Sequence, residues 1–499
     1  MESLSDTKWD VVISGTGLQQ SLLALALSRS GKNVLHVDAN DYYGGTEAAL
    51  SLQDADEWAE KYAAVDGHEP FAAARVSKDG DGDGLAASRS YSIALAPQLI
   101  HTRSELLNQL VASKAFRQIE FQAVGSFFIF QPGSELSEPM LSRIPSTRED
   151  VFSNKAIPTR AKRSLMKFLK FVLEYDVEPH IDLWKSRESE PLATFLESEF
   201  KLDADSQSYV TTLTLFLQEK PLVGHGLAAI NRHLRSMGVF GAGFAAVYPK
   251  WGGLSEVAQV GCRAGAVGGA IYMLGVGVSG AKPVSKDGQD LVDVSLTNDV
   301  TVESKTLITG DRQTPDDSQL RVSRLSAIVN VPLPAMFEAV VEGAPIPCVA
   351  VVAFPAGSVV DENGSPSQYP IYALVHSSDT GECPIGQCVV YLSTLSCPNS
   401  CALLDVSLSK LLAAAASSSQ SAKCLWRLHY EQTCGAGSFA VQDNIGTFGR
   451  FAPDLTLNDS VLEPVQQAWQ AVVGPDADTD NYMKFDDREG VQDDDVFDG

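Results

Sequence analysis

The sequence predicts an α/β fold that starts with a parallel βαβ unit and carries an inserted all-helical domain. The first observation is the opening order: an apolar run at residues 11–13, a glycine turn, a helical stretch at 18–30 and a second apolar run at 33–38. The second is a block of helical periodicity, 145–236, between regions of strand patterns. With 499 residues and 44% hydrophobic content, the chain is long enough for two or three domains.

Residues 1–130 form the first part of the predicted α/β domain. Gly31 is expected to end the first helix, because glycine suits the left-handed C′ position. Residues 52–90 are acidic and rich in Gly and Ala, and we expect a flexible, solvated insertion there. Beyond it, "RSELLNQLVASK" predicts a helix at 103–114 and "GSFFIF" a strand at 125–130.

Part of this insertion resembles the first half of a calcium-binding EF-hand loop. Asp79, Asp81, Asp83 and Gly84 have the right spacing, but the twelfth position is Ser90 instead of Glu. Gly and Ser also crowd the flanks where an EF-hand has helices. A solvated loop is therefore favoured over a calcium site.

The helical domain, 145–236, has its clearest helix at residues 159–176. Further helices are predicted at 192–200 and 206–218. The first helix has an apolar stripe on one face and a basic row on another. The stripe comprises Leu165, Phe168, Leu169 and Val172, and the row comprises Arg163, Lys167 and Lys170.

Residues 237–474 are predicted to complete the α/β domain. Gly-rich turns alternate there with strand patterns, and residues 413–419, "AAAASSS", are read as a helix end or a linker. Residues 475–499 are acidic and expected to be disordered. The predicted strands lie at 291–296, 306–311, 323–333, 348–356, 370–378 and 388–395.

Charge, termini and cysteines narrow the function classes. Sixty-three acids against 38 bases give a formal charge of −25, which argues against a general nucleic-acid binder. No signal peptide, prenylation cysteine or convincing membrane span is evident, so we expect a cytoplasmic protein. Cys397 and Cys401 have no second ligand pair at zinc-finger spacing, so reduced thiols are favoured over a metal site.

The glycine turn resembles a dinucleotide-binding fingerprint with one position changed. Gly15 and Gly17 match its first two glycines, whereas Gln20 replaces the third. Asp38 lies 21 residues after Gly17, where a ribose-binding acid is expected. On spacing alone the turn could bind a cofactor or serve only the fold. No nucleophile elbow, zinc-protease motif or P-loop indicates an enzyme.

Three stretches resemble the Rab escort protein and Rab GDP-dissociation inhibitor superfamily. They are "VISGTGLQQSLLALALSRSGKNVLHVDANDYYGG", "RSYSIALAPQLIHTRSELLNQLV" and "VYPKWGGLSEVAQVGCRAGAVGGAIYML". The resemblance covers most of residues 8–395 and implies the FAD-binding-like fold of a family that binds small GTPases and no flavin. With Gln20 in the turn, it favours a vestigial nucleotide site, no cofactor and no catalytic role.

The resemblance also implies contact residues for a Rab GTPase. Tyr43 matches the tyrosine before Gly-Gly, while Glu256 and Arg263 match an acid and an arginine seven residues apart. Met273 falls near further family contacts. If residues 256–263 are helical, seven steps of about 100° place Glu256 and Arg263 on one face. The alternative is that both only pair with neighbours inside the fold.

Within the superfamily, "EDVFSNKAIPTRAKRSLMKFLKF" resembles the escort branch. The resemblance implies that Phe152 and Arg163 contact the αβ heterodimer of Rab geranylgeranyltransferase. Phe152 could instead be a helix-staple residue and Arg163 a solvated charge.

The helical domain also resembles the one that shelters the geranylgeranyl group in this superfamily. Five apolar residues are candidates for the groove, although for any single one of them helix-packing core is the favoured interpretation: Leu165, Phe168, Leu169, Val172 and Phe216. The implied function is escort of GDP-bound Rab to the transferase, with transient membrane contact when the product is delivered. The alternatives are a dissociation inhibitor and, from another class, a flavin-dependent oxidoreductase.

Overall fold

The predicted βαβ start is present in the computed structural model of the protein. Strand β1 (Trp9–Ser14) leads into helix α1 (Leu18–Leu27) and strand β2 (Val34–Asp38), and the two strands pair in parallel. Helix α1 ends three residues before the predicted Ser30, although Gly31 has the expected positive φ of 70°. The structure describes residues 4–64, 69–78, 84–133, 139–145, 151, 157–218, 220–286, 288–310, 320–415, 422–435 and 437–486.

A sheet of eight strands forms around this unit. β2 lies between β1 and the parallel edge strand β10 (Ile271–Leu274), and β1 pairs in parallel with β13 (Thr301–Thr309). The remaining strands are β11 (Val278–Lys286), β12 (Gln289–Leu296), β19 (Phe439–Gln442) and β20 (Ile445–Phe448). Helix α11 (Leu462–Val473) packs on α1 and covers one face of the sheet.

A second, mixed sheet has ten strands. Along its path lie β4 (Phe71–Lys78), β18 (Cys424–Cys434), β14 (Leu320–Val329), β17 (Cys388–Leu395), β16 (Ile371–Ser377), β15 (Val349–Phe354), β7 (Phe121–Gln131), β9 (Ala246–Pro249) and β6 (Ile100–His101). β8 (Met140–Arg143) pairs with β7, and the short β3 (Ala49–Leu50) pairs with β5 (Ile93–Ala94). Helix α3 (Glu105–Ala112) precedes β7, and α10 (Ser400–Ala415) packs on β14 and β17.

Within the described residues between β8 and β9, five helices follow one another. They are α4 (Thr159–Leu173), α5 (Ile181–Trp184), α6 (Leu192–Phe200), α7 (Ala204–Thr212) and α8 (Val223–Ser236). Phe168, Phe195 and Leu227 belong to one buried cluster within them. The helix expected at 206–218 ends at Thr212, and Leu213 to Leu215 continue as turns. None of the described helices is both long and apolar enough to cross a membrane.

The expectation of a solvated loop over residues 52–90 is wrong for two stretches. Helix α2 (Leu52–Lys61) starts with a capping box between Ser51 and Asp54, and β4 pairs with β18. Trp58 anchors the helix, because its ring packs 4.9 Å from that of Phe71. The acidic side chains lie on the solvated face of an amphipathic helix. Asp79, Asp81 and Asp83 lie outside the described residues.

The expectation of disorder from residue 475 is wrong as far as residue 486. Met483 is 2% exposed, and the ring of Tyr482 packs 5.1 Å from that of Trp469. Arg29 lies over the ring of Phe485 at 4.5 Å. Apolar side chains between the acids therefore hold this stretch on the first domain. Residues 487–499 lie outside the described part of the chain.

Candidate functional site

The glycine-rich run after "YPKWGG" forms helix α9 (Leu254–Val267), which packs tightly on α1. A Cβ added at Gly261 would lie 2.6 Å from the carbonyl oxygen of Ser21, and one at Gly265 would lie 3.3 Å from Cβ of Ala24. Only glycine permits so close an approach. The conditional expectation of a helix at 256–263 is thus confirmed, and the glycines explain how it seats on the βαβ unit.

Helix α9 leaves one stripe of side chains towards solvent. Glu256 and Gln259 are half-buried, whereas Arg263 is exposed. Burial raises the pKa of the Glu256 carboxyl, and the positive charge of Arg263 opposes that shift. Nη1 of Arg263 donates to Oε1 of Gln118 at 3.3 Å. The structure therefore brings an acid and an arginine to one accessible face, and it also shows the neighbour with which Arg263 pairs.

Tyr43 lies beside this helix, whereas Met273 does not. Burial raises the pKa of Tyr43, with a smaller contribution from the nearby Cys262 of α9. Met273 packs with the cluster that contains Val37, on the sheet face opposite to α9. Its neighbour Tyr272 points towards α9, because a Cβ added at Gly265 would strike its hydroxyl. Three of the four predicted GTPase contacts are thus grouped, and Met273 is separated from them.

Side chains of the chain itself form hydrogen bonds around the glycine turn. Both oxygens of Asp38 are engaged: Oδ2 accepts from N and Oγ1 of Thr16, each at 2.7 Å, and Oδ1 accepts from N and Nδ2 of Asn40 at 2.8 and 3.0 Å. Burial lowers the pKa of His36 to about 4, so its neutral ring donates from Nε2 to Gly15 O at 2.6 Å. Asp38 therefore serves the turn instead of a ribose.

The N-terminus of α1, where a pyrophosphate would lie, is capped by Glu47. Oε2 of Glu47 accepts from the backbone N–H of Leu18 at 3.0 Å. The side chain of Gln20 lies across the turn, so that a Cβ added at Gly17 would be 3.0 Å from its Oε1. The remaining cleft has a volume of about 170 Å³, below the roughly 300–1,000 Å³ of sites that enclose small ligands. These residues do not fit a dinucleotide.

Sequence reasoning identified Gln20 but missed Glu47. Glu47 lies 29 residues after Leu18, and an acid in a glycine-rich loop carries no signal of helix capping at that distance. Only the fold brings the two together.

The predicted lipid-groove residues divide into two groups. Leu165, Phe168 and Val172 are buried in the core of the helical domain, and the last two are 0% exposed. Leu169 and Phe216 are only partly buried. In this structure, therefore, the first three residues pack against other side chains of the chain, and the groove stays a prediction.

The two predicted transferase contacts lie at the start of the helical domain. Arg163 is exposed on α4, as are Lys167 and Lys170. Phe152 lies outside the described residues, although the preceding Val151 is buried in the helical core. The basic face predicted for this helix is confirmed, and its role stays a prediction.

Residues 5–347, more than half of the chain, match the family model described as GDP dissociation inhibitor. The chain belongs to this family. It is 31% identical over 395 residues to a protein of Saccharomyces cerevisiae named Rab proteins geranylgeranyltransferase component A. That alignment covers 78% of this chain and 61% of the yeast protein, so nearly two-fifths of the relative has no counterpart in it.

Solved structures confirm the fold class. The crystal structure of Rab GDI from Plasmodium falciparum superposes with a TM-score of 0.64 at 18% identity, covering 93% of this chain and 98% of that one. An oxidoreductase from Methanosarcina mazei superposes with a TM-score of 0.59 at 12% identity, covering 93% of this chain and 100% of that one. At such identities the likeness concerns the fold alone, and it agrees with the predicted FAD-binding-like architecture.

Proposed function

We propose that this chain is a Rab escort protein. It binds newly made, GDP-bound Rab GTPases, presents them to the αβ heterodimer of Rab geranylgeranyltransferase and delivers the prenylated product to membranes. The observation that carries the proposal is the alignment of 78% of the chain with the yeast component A. The chain performs no bond-making chemistry in this scheme and works from the cytosol.

The face of α9 is the proposed GTPase contact. A half-buried carboxylate at Glu256 and an exposed guanidinium at Arg263 can both form charge-assisted hydrogen bonds, and Tyr43 adds an aromatic surface beside them. Met273, on the other face of the sheet, is the weakest member of the predicted set.

The helical domain is the proposed transferase and lipid region. Arg163 stands on the exposed basic face of α4, and Phe152 is the predicted aromatic anchor near the start of the domain. A geranylgeranyl chain gains about 0.8 kcal/mol per CH₂ that it buries, so a shelter for it keeps the product soluble. Leu169 and Phe216, which are partly exposed, are the residues such a chain would meet first.

Reconstituted prenylation tests this function. Transferase heterodimer, geranylgeranyl diphosphate and an unprenylated Rab of the source organism are incubated with and without the chain, and the prenylated Rab is measured. We expect product only when the chain is present, and Arg163→Ala to lower the rate about tenfold or more. Lys282→Ala, an exposed base on β11, is the matched control. Equal product without the chain would contradict the proposal.

A dissociation inhibitor is the second candidate, because the family model carries that description. It predicts extraction of prenylated Rab from membranes without binding to the transferase heterodimer. A pull-down with the heterodimer, Rab and prenyl diphosphate distinguishes the two functions. An escort protein binds the heterodimer in this experiment, and a dissociation inhibitor does not. A flavin-dependent oxidoreductase is disfavoured by the closed glycine turn, and co-purification of a flavin, seen by its absorbance, would reverse that conclusion.

A further inference from the structure

Trp251 is an exposed aromatic residue at the entrance of α9. Trp251 is 47% exposed to solvent, whereas the other tryptophans described are almost fully buried. Large exposed aromatics cost solubility and are the residue type most enriched among binding hot spots. Glu256 lies five positions after Trp251, which limits the distance between their Cα atoms to about 18 Å.

The backbone holds Trp251 in an unfavourable conformation. Its φ is +67°, in the left-handed region that a bulky side chain rarely adopts because the conformation is strained. Its N–H donates to Thr380 O at 2.8 Å, and its carbonyl accepts from Ser92 Oγ at 2.8 Å. Hydrogen bonds at both the N–H and the carbonyl of Trp251 therefore hold its backbone in this conformation.

The indole ring is also positioned by its neighbours. It lies on Gly381, where an added Cβ would be 2.4 Å from Cδ1 of the ring, and the ammonium of Lys250 stands 4.7 Å from the ring centre. The loop beneath is anchored by the fully buried Glu382, which accepts from Tyr248 OH at 2.8 Å. A rigid aromatic side chain loses little conformational entropy when a partner binds.

A chain of contacts connects Trp251 with Arg263. Lys250 forms an ion pair with Glu120 at 3.0 Å, and Gln118, two residues earlier, accepts from Arg263. The segment 118–120 thus contacts both Lys250, which neighbours Trp251 in the sequence, and Arg263. A standard interface covers about 800 Å² per partner, or roughly 30 Å across, which is wide enough to include all of them.

We propose that Trp251 is the aromatic anchor of the GTPase-binding face of α9. This inference rests on the proposed function and adds a residue and a physical role to it. Glu256 and Arg263 supply charge and orientation, while the indole, already held in place, supplies buried area next to the helix N-terminus. The hydrogen bonds to Thr380 and Ser92 and the contact with Gly381 hold the ring in position, against the strain at φ +67°, before the GTPase arrives.

Three substitutions test the proposal on the full chain. Binding of an unprenylated, GDP-loaded Rab of the source organism is measured by calorimetry, and folding by thermal unfolding. We expect Trp251→Ala and Trp251→Gly to weaken binding by about tenfold or more, and Trp251→Phe to stay within about threefold. Trp251→Gly relieves the backbone strain, so its unfolding temperature should be no lower than that of Trp251→Ala. Met140→Ala, on the exposed β8, is the control.

The outcomes separate this inference from the proposed function. If the wild-type chain binds Rab and folded Trp251→Gly binds within threefold of it, only the inference is overturned. If the wild-type chain binds no GDP-loaded Rab, the proposed function fails and the inference with it. If Trp251→Gly keeps its Rab affinity but no longer binds phosphatidylserine vesicles that the wild type binds, the indole serves a membrane and the inference is overturned.

Discussion

The glycine turn at the start of α1 and the outer face of α9 are neighbours with opposite properties. In the turn, the two carboxylates are engaged inside the chain: Glu47 caps Leu18, and Asp38 accepts hydrogen bonds from Thr16 and Asn40. On α9, Arg263 is exposed and Glu256 half-buried, so both charged side chains remain accessible to solvent. A carboxylate of the chain itself therefore occupies the helix N-terminus that could otherwise bind an anion, whereas the accessible charges lie on the adjoining helix.

We expect the strongest effect from a substitution on the accessible face of α9. Arg263→Ala removes the exposed guanidinium and should weaken Rab binding by about 2 kcal/mol or more, because charged hot-spot residues dominate such interfaces. The free energy of unfolding should stay within about 0.5 kcal/mol, since the side chain is exposed. Calorimetry and urea unfolding measure the two quantities. Unchanged affinity would remove Arg263 from the contact face. Lys282→Ala again serves as the charge control.

A smaller effect is expected from a substitution at the glycine turn. Glu47→Ala leaves the buried N–H of Leu18 without its acceptor and should lower the free energy of unfolding by about 1–2 kcal/mol. Glu47→Gln retains an oxygen acceptor and should cost less. Urea unfolding measures both. If Rab affinity fell in parallel with stability, the glycine turn and the face of α9 would be coupled and would not act independently.

The smallest effect concerns Glu256. Its pKa is raised in the folded chain by burial, so the carboxylate form disfavours folding, and the penalty grows as the pH rises through the ordinary value of 4.5 and is complete above the folded value. Glu256→Gln should therefore be as stable as the wild type, or more stable by less than about 0.5 kcal/mol at neutral pH, since the half-exposed charge is screened.

The free energy of unfolding of both proteins, measured from pH 7 down to pH 3, checks this prediction for Glu256. Any extra stability of Glu256→Gln over the wild type should vanish at the acidic end. A wild type that is clearly more stable than Glu256→Gln at pH 7 would show that the acid serves the fold. Weaker Rab binding by the same variant, with stability retained, would identify it as a contact residue.

Local sequence patterns predicted most of the elements with strong apolar periodicity. The helix at 192–200 and the strand at 388–395 coincide with α6 and β17. Predictions that were based on amino-acid composition instead of on periodicity were wrong in two stretches. Acids suggested a loop at 52–61 and a disordered tail from 475, yet Trp58 and Met483 are buried there. Single apolar side chains among charges outweigh average polarity, because each buries its full area.

The βαβ start, the order of sheet and helix regions, the family and the shared face of Glu256 and Arg263 are all readable from the amino-acid order, since they depend on local period or on matched motifs. Only the tertiary structure decided that Glu47 closes the glycine turn, that Met273 lies across the sheet from α9, and that Trp251 is strained, exposed and linked to Arg263 through 118–120. These facts join residues that are far apart in the chain, and local propensities carry no information about such distances.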